Sequence, residues 1–244
     1  MSLEIKHNKE IKLDIPSFVC DSGLCENLEK HDLLKHLNAY TFDVLCGKPG
    51  SGKTSLIVGM LTGKKDKQIY RKVFNNVLVV MPRTSIQSMK KNVFKKHSEE
   101  KIFEELDLPT IETIYSKLVE ASNEDENTLL ILDDVGASLK NNDIQKIFRK
   151  IIYNRRHLKT KICILVQSFL SLPKEIRKLL NNIFMFKPSK VEFENLFDEL
   201  FETNKDVAMD IMNEGYENSH DWLMLNVDSQ RIYKNNGDEI IIKR

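Results

Sequence analysis

Eight consecutive residues, Gly47-Lys48-Pro49-Gly50-Ser51-Gly52-Lys53-Thr54, fit the pattern G-x-x-x-x-G-K-T at every fixed position. Glycines at those places let successive backbone N–H groups turn toward a phosphate chain. A helix starting at Lys53 adds the partial positive charge of its N-terminus. In that arrangement Lys53 reaches the β- and γ-phosphates and the Thr54 hydroxyl takes Mg²⁺. Ser55 completes the run that would lie along the nucleotide. The bland alternative is a chance match in a glycine turn. Against it stand the apolar strand before the motif, Phe42 to Cys46, and the apolar helix after it, Lys53 to Leu61. The pattern therefore implies ATP and Mg²⁺ as ligands.

A second group of chemically capable residues closes another apolar run. Leu129-Leu130-Ile131-Leu132 leads straight into Asp133-Asp134. In a parallel sheet the C-terminal ends of the strands face the ligand crevice. Asp133 placed there would hold Mg²⁺ through water, and Asp134 would orient and polarise an attacking water. The competing reading makes Asp134 a cap for the loop that follows. Gln167 stands directly after a third apolar run, Ile162 to Val166. An amide there can touch the γ-phosphate or the lytic water, or it can simply bond to loop backbone. Arg155 and Arg156 follow a helical stretch. Either could be given to a neighbouring subunit's γ-phosphate, or either could pair with the helix C-terminus. Arg177 is a third, weaker candidate, and His157 reads as structural.

These residues need elements that bring them together. Strands read at Phe42–Cys46, 77–81, 128–132, Ile162–Val166 and 183–186 alternate with helical patterns, the signature of a parallel sheet with crossover helices. Ile144, Ile147, Phe148, Ile151 and Ile152 have helical spacing. Further helices are expected over 32–38, from Ser85 onward, near 99–106, over 111–121, and around Phe193, Leu196, Phe197, Leu200 and Phe201. Another helix and a small hairpin around Trp222 to Tyr233 would end the chain. The expected class is α/β: a RecA-like P-loop core with a mostly parallel sheet of five or more strands flanked by helices. Its divisions would be an N-terminal extension over 1–40, the core over 41–188, and C-terminal helices and hairpin over 189–244 packed on it as one domain.

The chain of 244 residues carries 37 Lys and Arg against 36 Asp and Glu, so bulk charge signals no nucleic-acid partner. Local clusters at Lys64, Lys65 and Lys67, and at Lys90, Lys91, Lys95 and Lys96, read first as solvated faces and second as phosphate contacts for DNA. The apolar runs fall well short of the roughly 20 residues that span a bilayer. The polar N-terminus lacks a signal-peptide core, which points to a soluble intracellular protein. Cys20, Cys25, Cys46 and Cys163 lack zinc spacing and read as free thiols.

Taken in order, Gly47–Thr54, Leu129–Asp134, Asn154-Arg155-Arg156-His157, Val166-Gln167-Ser168 and Leu172-Pro173-Lys174-Glu175-Ile176-Arg177 resemble the poxvirus-type genome-packaging ATPases of the FtsK–HerA superfamily. The resemblance covers about residues 40 to 190. It implies a RecA-like sheet with the sensor strand between the two strands that carry the phosphate loop and the acidic pair. It also implies a homo-oligomeric ring, hexameric in the family, that pumps double-stranded DNA without reading its sequence. Capsid or membrane vertex proteins would be partners, at the host-cell site of virus assembly or in the virion. Many superfamily members carry glutamate where this chain has Asp134, and aspartate is shorter by about 1.5 Å. The rival readings are a hexameric helicase, suggested by Val79-Val80-Met81-Pro82-Arg83-Thr84, and a non-motor ATP-dependent assembly switch. A small-molecule kinase lacks its arginine-rich lid here, and a terminase with an attached nuclease lacks the length and the acidic cluster.

Overall fold

The structure, a computed structural model, describes residues 23–25, 28, 31–64, 69–87, 93–94, 97–201, 203–235 and 237–241. Cys20 and the lysines at 65, 67, 90, 91, 95 and 96 lie outside these residues.

Nine strands form one sheet in the order β3-β2-β4-β5-β1-β6-β7-β8-β9. Six of them, β1 (Phe42–Cys46), β2 (Asn76–Val80), β3 (Ile102–Phe103), β4 (Thr128–Asp133), β5 (Thr160–Val166) and β6 (Asn182–Phe186), are mutually parallel. The remaining three, β7 (Trp222–Asn226), β8 (Arg231–Lys234) and β9 (Glu239–Ile240), add on antiparallel beyond β6. The expected hairpin extends the main sheet. β5 lies between β4 and β1, so the strand expected to carry a sensor stands between those bearing the acidic pair and the phosphate loop.

The central strands are largely apolar because both faces are covered, with Asp43 of β1 and Lys161 of β5 as buried charged exceptions. Alternate residues of β4 serve different cores. Leu130 and Leu132 face one cluster, with Ile111, Ile114 and Leu118 of α4 (Leu108–Asn123) and Phe148 and Ile151 of α5 (Asn142–Asn154). Leu129 and Ile131 face the other, with Ile57 and Met60 of α2 (Lys53–Thr62) and Leu33 of α1 (Asp32–Lys35). This period of two is what the pleat imposes. Each of these buried Leu and Ile side chains contributes about 1.5–3 kcal/mol. Two short helices, α3 (Arg83–Gln87) and α6 (Lys174–Arg177), follow β2 and β5. Two longer ones, α7 (Lys190–Leu200) and α8 (Lys205–Gly215), close the first face with Phe193, Leu196, Phe197 and Ile211.

Two expectations are corrected. The segment 99–106 is not a helix. A single 3-10 turn over Glu99–Lys101 leads into β3, which pairs Val79 with Ile102 and Val80 with Phe103. The apolar spacing in this stretch allows a helix, but the exposed edge of β2 offers unpaired backbone groups, and pairing with them decides the outcome. β5 also begins two residues earlier than expected, at Thr160, because Lys161 is buried in it.

Candidate active site

The sheet aligns three strand ends at one edge. β1 runs into the glycine-rich loop, β4 ends at Asp133, and β5 ends at Val166 before Gln167. The Gly47 amide continues the ladder by donating to the Val166 carbonyl at 3.1 Å. The loop then turns tightly, with Ser51 N–H on the Lys48 carbonyl at 3.1 Å. Gly50 (φ 77°) and Gly52 (φ 113°) adopt left-handed conformations that favour glycine. A Cβ at Gly47 would lie 2.7 Å from both the Phe186 Cβ and the Ser51 Oγ, so only glycine fits between β6 and the turn. α2 begins immediately after Gly52 and directs its free N–H groups at the loop.

The ammonium of Lys53 folds back onto the loop, donating to the carbonyls of Gly47 at 2.5 Å and Lys48 at 3.2 Å. Burial pushes its pKa down, while Asp133, Cys46 and Asp134 oppose that shift. Burial raises Asp133 to about 6, with Lys53 acting against it and Asp134 adding to it. Asp134 is exposed, sits at φ 57° just past β4, and donates its N–H to the Leu165 carbonyl at 3.2 Å. Aspartate tolerates that left-handed position better than most residues. A cation and two carboxylates thus feel one another's fields at the strand ends, and among the described residues no ion pair neutralises Lys53 or Asp133.

This donor set fits ATP with Mg²⁺. The loop offers a cradle of N–H groups and a lysine with only carbonyl partners. Thr54 and Asp133 supply hard oxygen donors. Among the described residues no cluster of three or more His, Cys, Asp or Glu could cage a metal by itself. Mg²⁺ usually takes only one or two protein oxygens and completes its shell with phosphate and water. Of the predicted loop residues, Lys48 and Pro49 are in the turn and Ser55 is in the first turn of α2.

Gln167 is exposed at the end of β5, and among the described residues nothing hydrogen-bonds its amide. Arg155 and Arg156 are elsewhere. They follow α5 and precede β5, at the N-terminal ends of the strands. β1 alone, five residues at about 3.3 Å each, puts them more than 10 Å from their own phosphate loop. Arg155 donates to the Ile152 carbonyl at 2.9 Å and to Asn181 Oδ1 at 3.1 Å, whereas Arg156 is exposed. Arg177 is bound to Glu199 by three contacts of 2.7–3.2 Å. Cys46 and Cys163 are buried free thiols, Cys163 pushed up to about 12 by burial, and Cys25 is free and half-buried.

Two neighbours of the site lie outside the motifs read from the sequence. His220, in the turn before β7, places Nδ1 3.1 Å from the Ser51 carbonyl. Glu192 of α7 accepts from Ser168 Oγ at 2.7 Å and from Phe169 N–H at 2.5 Å. The pattern Ser189-Lys190-Val191-Glu192 signals a helix start, but it directs attention to the helix backbone and not to the loop after β5.

Fold and site together define a P-loop ATPase. Residues 29–241 match the family of poxvirus A32 proteins, and the chain belongs to that family. Among solved structures it is similar to B204, the DNA-packaging ATPase of Sulfolobus turreted icosahedral virus, at 15% identity and TM-score 0.58, covering 83% of this chain and 98% of that one. It is also similar to the genome-packaging NTPase B204 of Sulfolobus turreted icosahedral virus 2 bound to ATP-gammaS, at 16% identity and TM-score 0.57, covering 82% and 98%. No curated protein sequence matches the chain. Among the described residues no helix is long and apolar enough to cross a membrane.

Proposed function

We propose that this protein is an ATP-driven motor that moves double-stranded viral DNA into a preformed capsid, working as a homo-oligomeric ring. The observation that carries the reading is the convergence of Lys53, Asp133, Asp134 and Gln167 on three adjacent strand ends, in a member of the poxvirus A32 family.

The phosphate chain would lie on the N–H groups of Gly47 to Thr54, with Lys53 leaving the carbonyls of Gly47 and Lys48 for the β- and γ-phosphate oxygens. Thr54 and Asp133 would hold Mg²⁺, which when bound neutralises charge on the phosphates. Asp134 orients the attacking water and accepts its proton. Its exposure in the single chain suits a site that a second subunit covers. Gln167 touches the γ-phosphate or the water and reports hydrolysis to its strand.

The remaining charge calls for a cation from outside. Arg155 and Arg156 are both candidates for a finger acting on a neighbour's nucleotide: Arg155 is half-buried beside Asn181 and Ile152, and Arg156 is exposed. Both arginines stand at the edge of the sheet opposite their own loop, so a ring is what allows either to act.

The test is ATP hydrolysis with and without long double-stranded DNA, for the native chain and for Asp134→Asn. Strong stimulation by duplex that is lost in the variant is the expected result. Hydrolysis by an assembled ring that is indifferent to DNA would replace the motor reading with that of a non-motor switch.

A further inference from the structure

Glu192 lies outside every motif of the site, yet its Oε1 is where the machinery meets the C-terminal helices. Ser168 Oγ and Phe169 N–H both donate to it, and Cys46 Sγ stands at 3.8 Å. Ser168 and Phe169 are the two residues after Gln167. Cys46 is the last residue before the phosphate loop and is paired across the sheet with Val166. One carboxylate oxygen therefore spans the ends of β1 and β5, the strands on which the loop and the sensor glutamine are mounted.

The sequence around Glu192 makes this placement more telling. Ser189 Oγ accepts from Glu192 N–H at 3.3 Å, which is one half of a capping box. In the other half the glutamate side chain would turn back to the Ser189 amide. Here it reaches across to the loop after β5 instead, and the helix end forgoes that bond. Charged acceptors make hydrogen bonds roughly twice as strong as neutral ones. Two such bonds fix the backbone at 168–169 and hence the position from which Gln167 extends. Seven residues along the same face of α7, Glu199 grips Arg177, which also donates to the Leu172 carbonyl at 2.8 Å. The whole segment from Ser168 to Arg177 is thereby held against α7.

We infer that Glu192 is a positioning residue for ATP hydrolysis, holding Gln167 in place through Ser168 and Phe169 and joining the γ-phosphate sensor to α7. The inference rests on the proposed sensor role of Gln167. Glu192 does not touch nucleotide itself, so its loss should slow the reaction without weakening ATP binding.

The experiment compares steady-state ATP hydrolysis by the full chain for Glu192→Ala, Glu192→Gln, Gln167→Ala and the double variant Gln167→Ala/Glu192→Ala. Glu192→Ala is expected to lower kcat about 10- to 100-fold, the scale of a misplaced group, and to leave the KM for ATP within about threefold. Glu192→Gln keeps a side-chain oxygen that accepts from both donors, so it should recover most of the rate. The double variant should be no slower than Gln167→Ala alone, since the two residues act as one unit. Native kcat in Glu192→Ala while Gln167→Ala is slow would overturn the role of Glu192 and leave the sensor standing. Native kcat in Gln167→Ala would remove the sensor reading itself. Losses that multiply in the double variant, or a Glu192→Gln variant as slow as Glu192→Ala, would also overturn the positioning role. Should Glu192→Ala fail to fold, Ser168→Ala removes one of the two donors from outside α7. It must then show a smaller kcat loss at unchanged KM, and native kcat in that variant counts against the inference.

Discussion

Two lysine–aspartate sets occupy opposite ends of the same parallel strands, and they are built in opposite ways. At the N-terminal ends Lys161 and Asp43 are fully buried, 0% and 1% exposed, and joined at 2.8 Å. Each makes further hydrogen bonds within the fold. Lys161 also donates to Thr41 Oγ1 and lies over the Tyr70 ring. Asp43 accepts from Asn182 at 2.8 Å, and Asn182 in turn accepts from Asn226 at 2.7 Å. The network crosses β5, β1, β6 and β7 and ties the sheet to the backbone of His36. At the C-terminal ends Lys53 and Asp133 are partly withdrawn from water and are not joined. Burial drives both toward their neutral forms. Buried charge that is saturated fixes a structure, whereas buried charge left without its partner marks where a ligand must supply one.

The largest effect that would sharpen this contrast is on catalysis. Asp134→Asn should lower ATP hydrolysis by about 10²- to 10⁴-fold, the contribution of a general base. Asp134 is exposed, so its urea midpoint should stay at the native value. A variant that unfolds more easily would place Asp134 among the structural charges instead.

Next in size is the buried pair. Lys161→Met leaves Asp43 enclosed without its cation and should cost about 3–5 kcal/mol of stability in denaturant unfolding. Adding Asp43→Asn removes the stranded charge while keeping an acceptor for Asn182, and most of the loss should return. The rate of ATP hydrolysis per folded molecule should change in neither. If hydrolysis fell while the fold held, the two ends of the sheet would not be functionally separate.

Legibility followed the same division. The phosphate-side residues were readable because each is attached to a pattern with a mechanism: a glycine loop after an apolar strand, carboxylates at the end of Leu129–Leu132, an amide after Ile162–Val166. The opposite end was not. A single Asp43 in Phe-Asp-Val-Leu-Cys and a single Lys161 ahead of Ile162 carry no sign that they are partners, since their pairing arises only when β1 and β5 become neighbours. Lysine is almost never fully buried unless paired, so the strand read from sequence began after it. β3 was lost for a related reason, because a two-residue edge strand exists only by pairing with β2. Glu192 belongs to no motif of the site, and only the packing of α7 on the loop after β5 gives it Ser168 and Phe169 as partners.

A smaller effect concerns Asp133 in the absence of nucleotide and metal. Its folded pKa of about 6 lies above its ordinary value of 3.8, so between those values the folded protein holds a proton that the unfolded chain has released. Stability from this group is therefore full below pH 4 and is lost as the pH rises toward 6. Asp107 and Asp221 have lowered pKa values, set chiefly by hydrogen bonds from Thr110 and Asn218, and they contribute in the opposite direction. The informative quantity is thus the difference between the native chain and Asp133→Asn. In urea unfolding with chelator present it should change by about 2 kcal/mol across that window, to the relative advantage of the variant at higher pH. A flat difference would mean that Asp133 is as well solvated as a surface carboxylate, and the claim of an unsatisfied site would fail.

The smallest effect comes from a third kind of pair. Arg83 and Glu104 meet at 2.9 Å, close to the 2.8 Å of Lys161 and Asp43, but their side chains are 72% and 59% exposed. Water already solvates both, and holding two long side chains together costs entropy that offsets the attraction. Arg83→Ala should therefore change stability by less than about 1 kcal/mol, and less still in high salt. Nearly equal distances with such unequal consequences would show that burial and saturation, not separation, decide what a lysine or arginine paired with a carboxylate does here. A cost near that of Lys161→Met would break that rule.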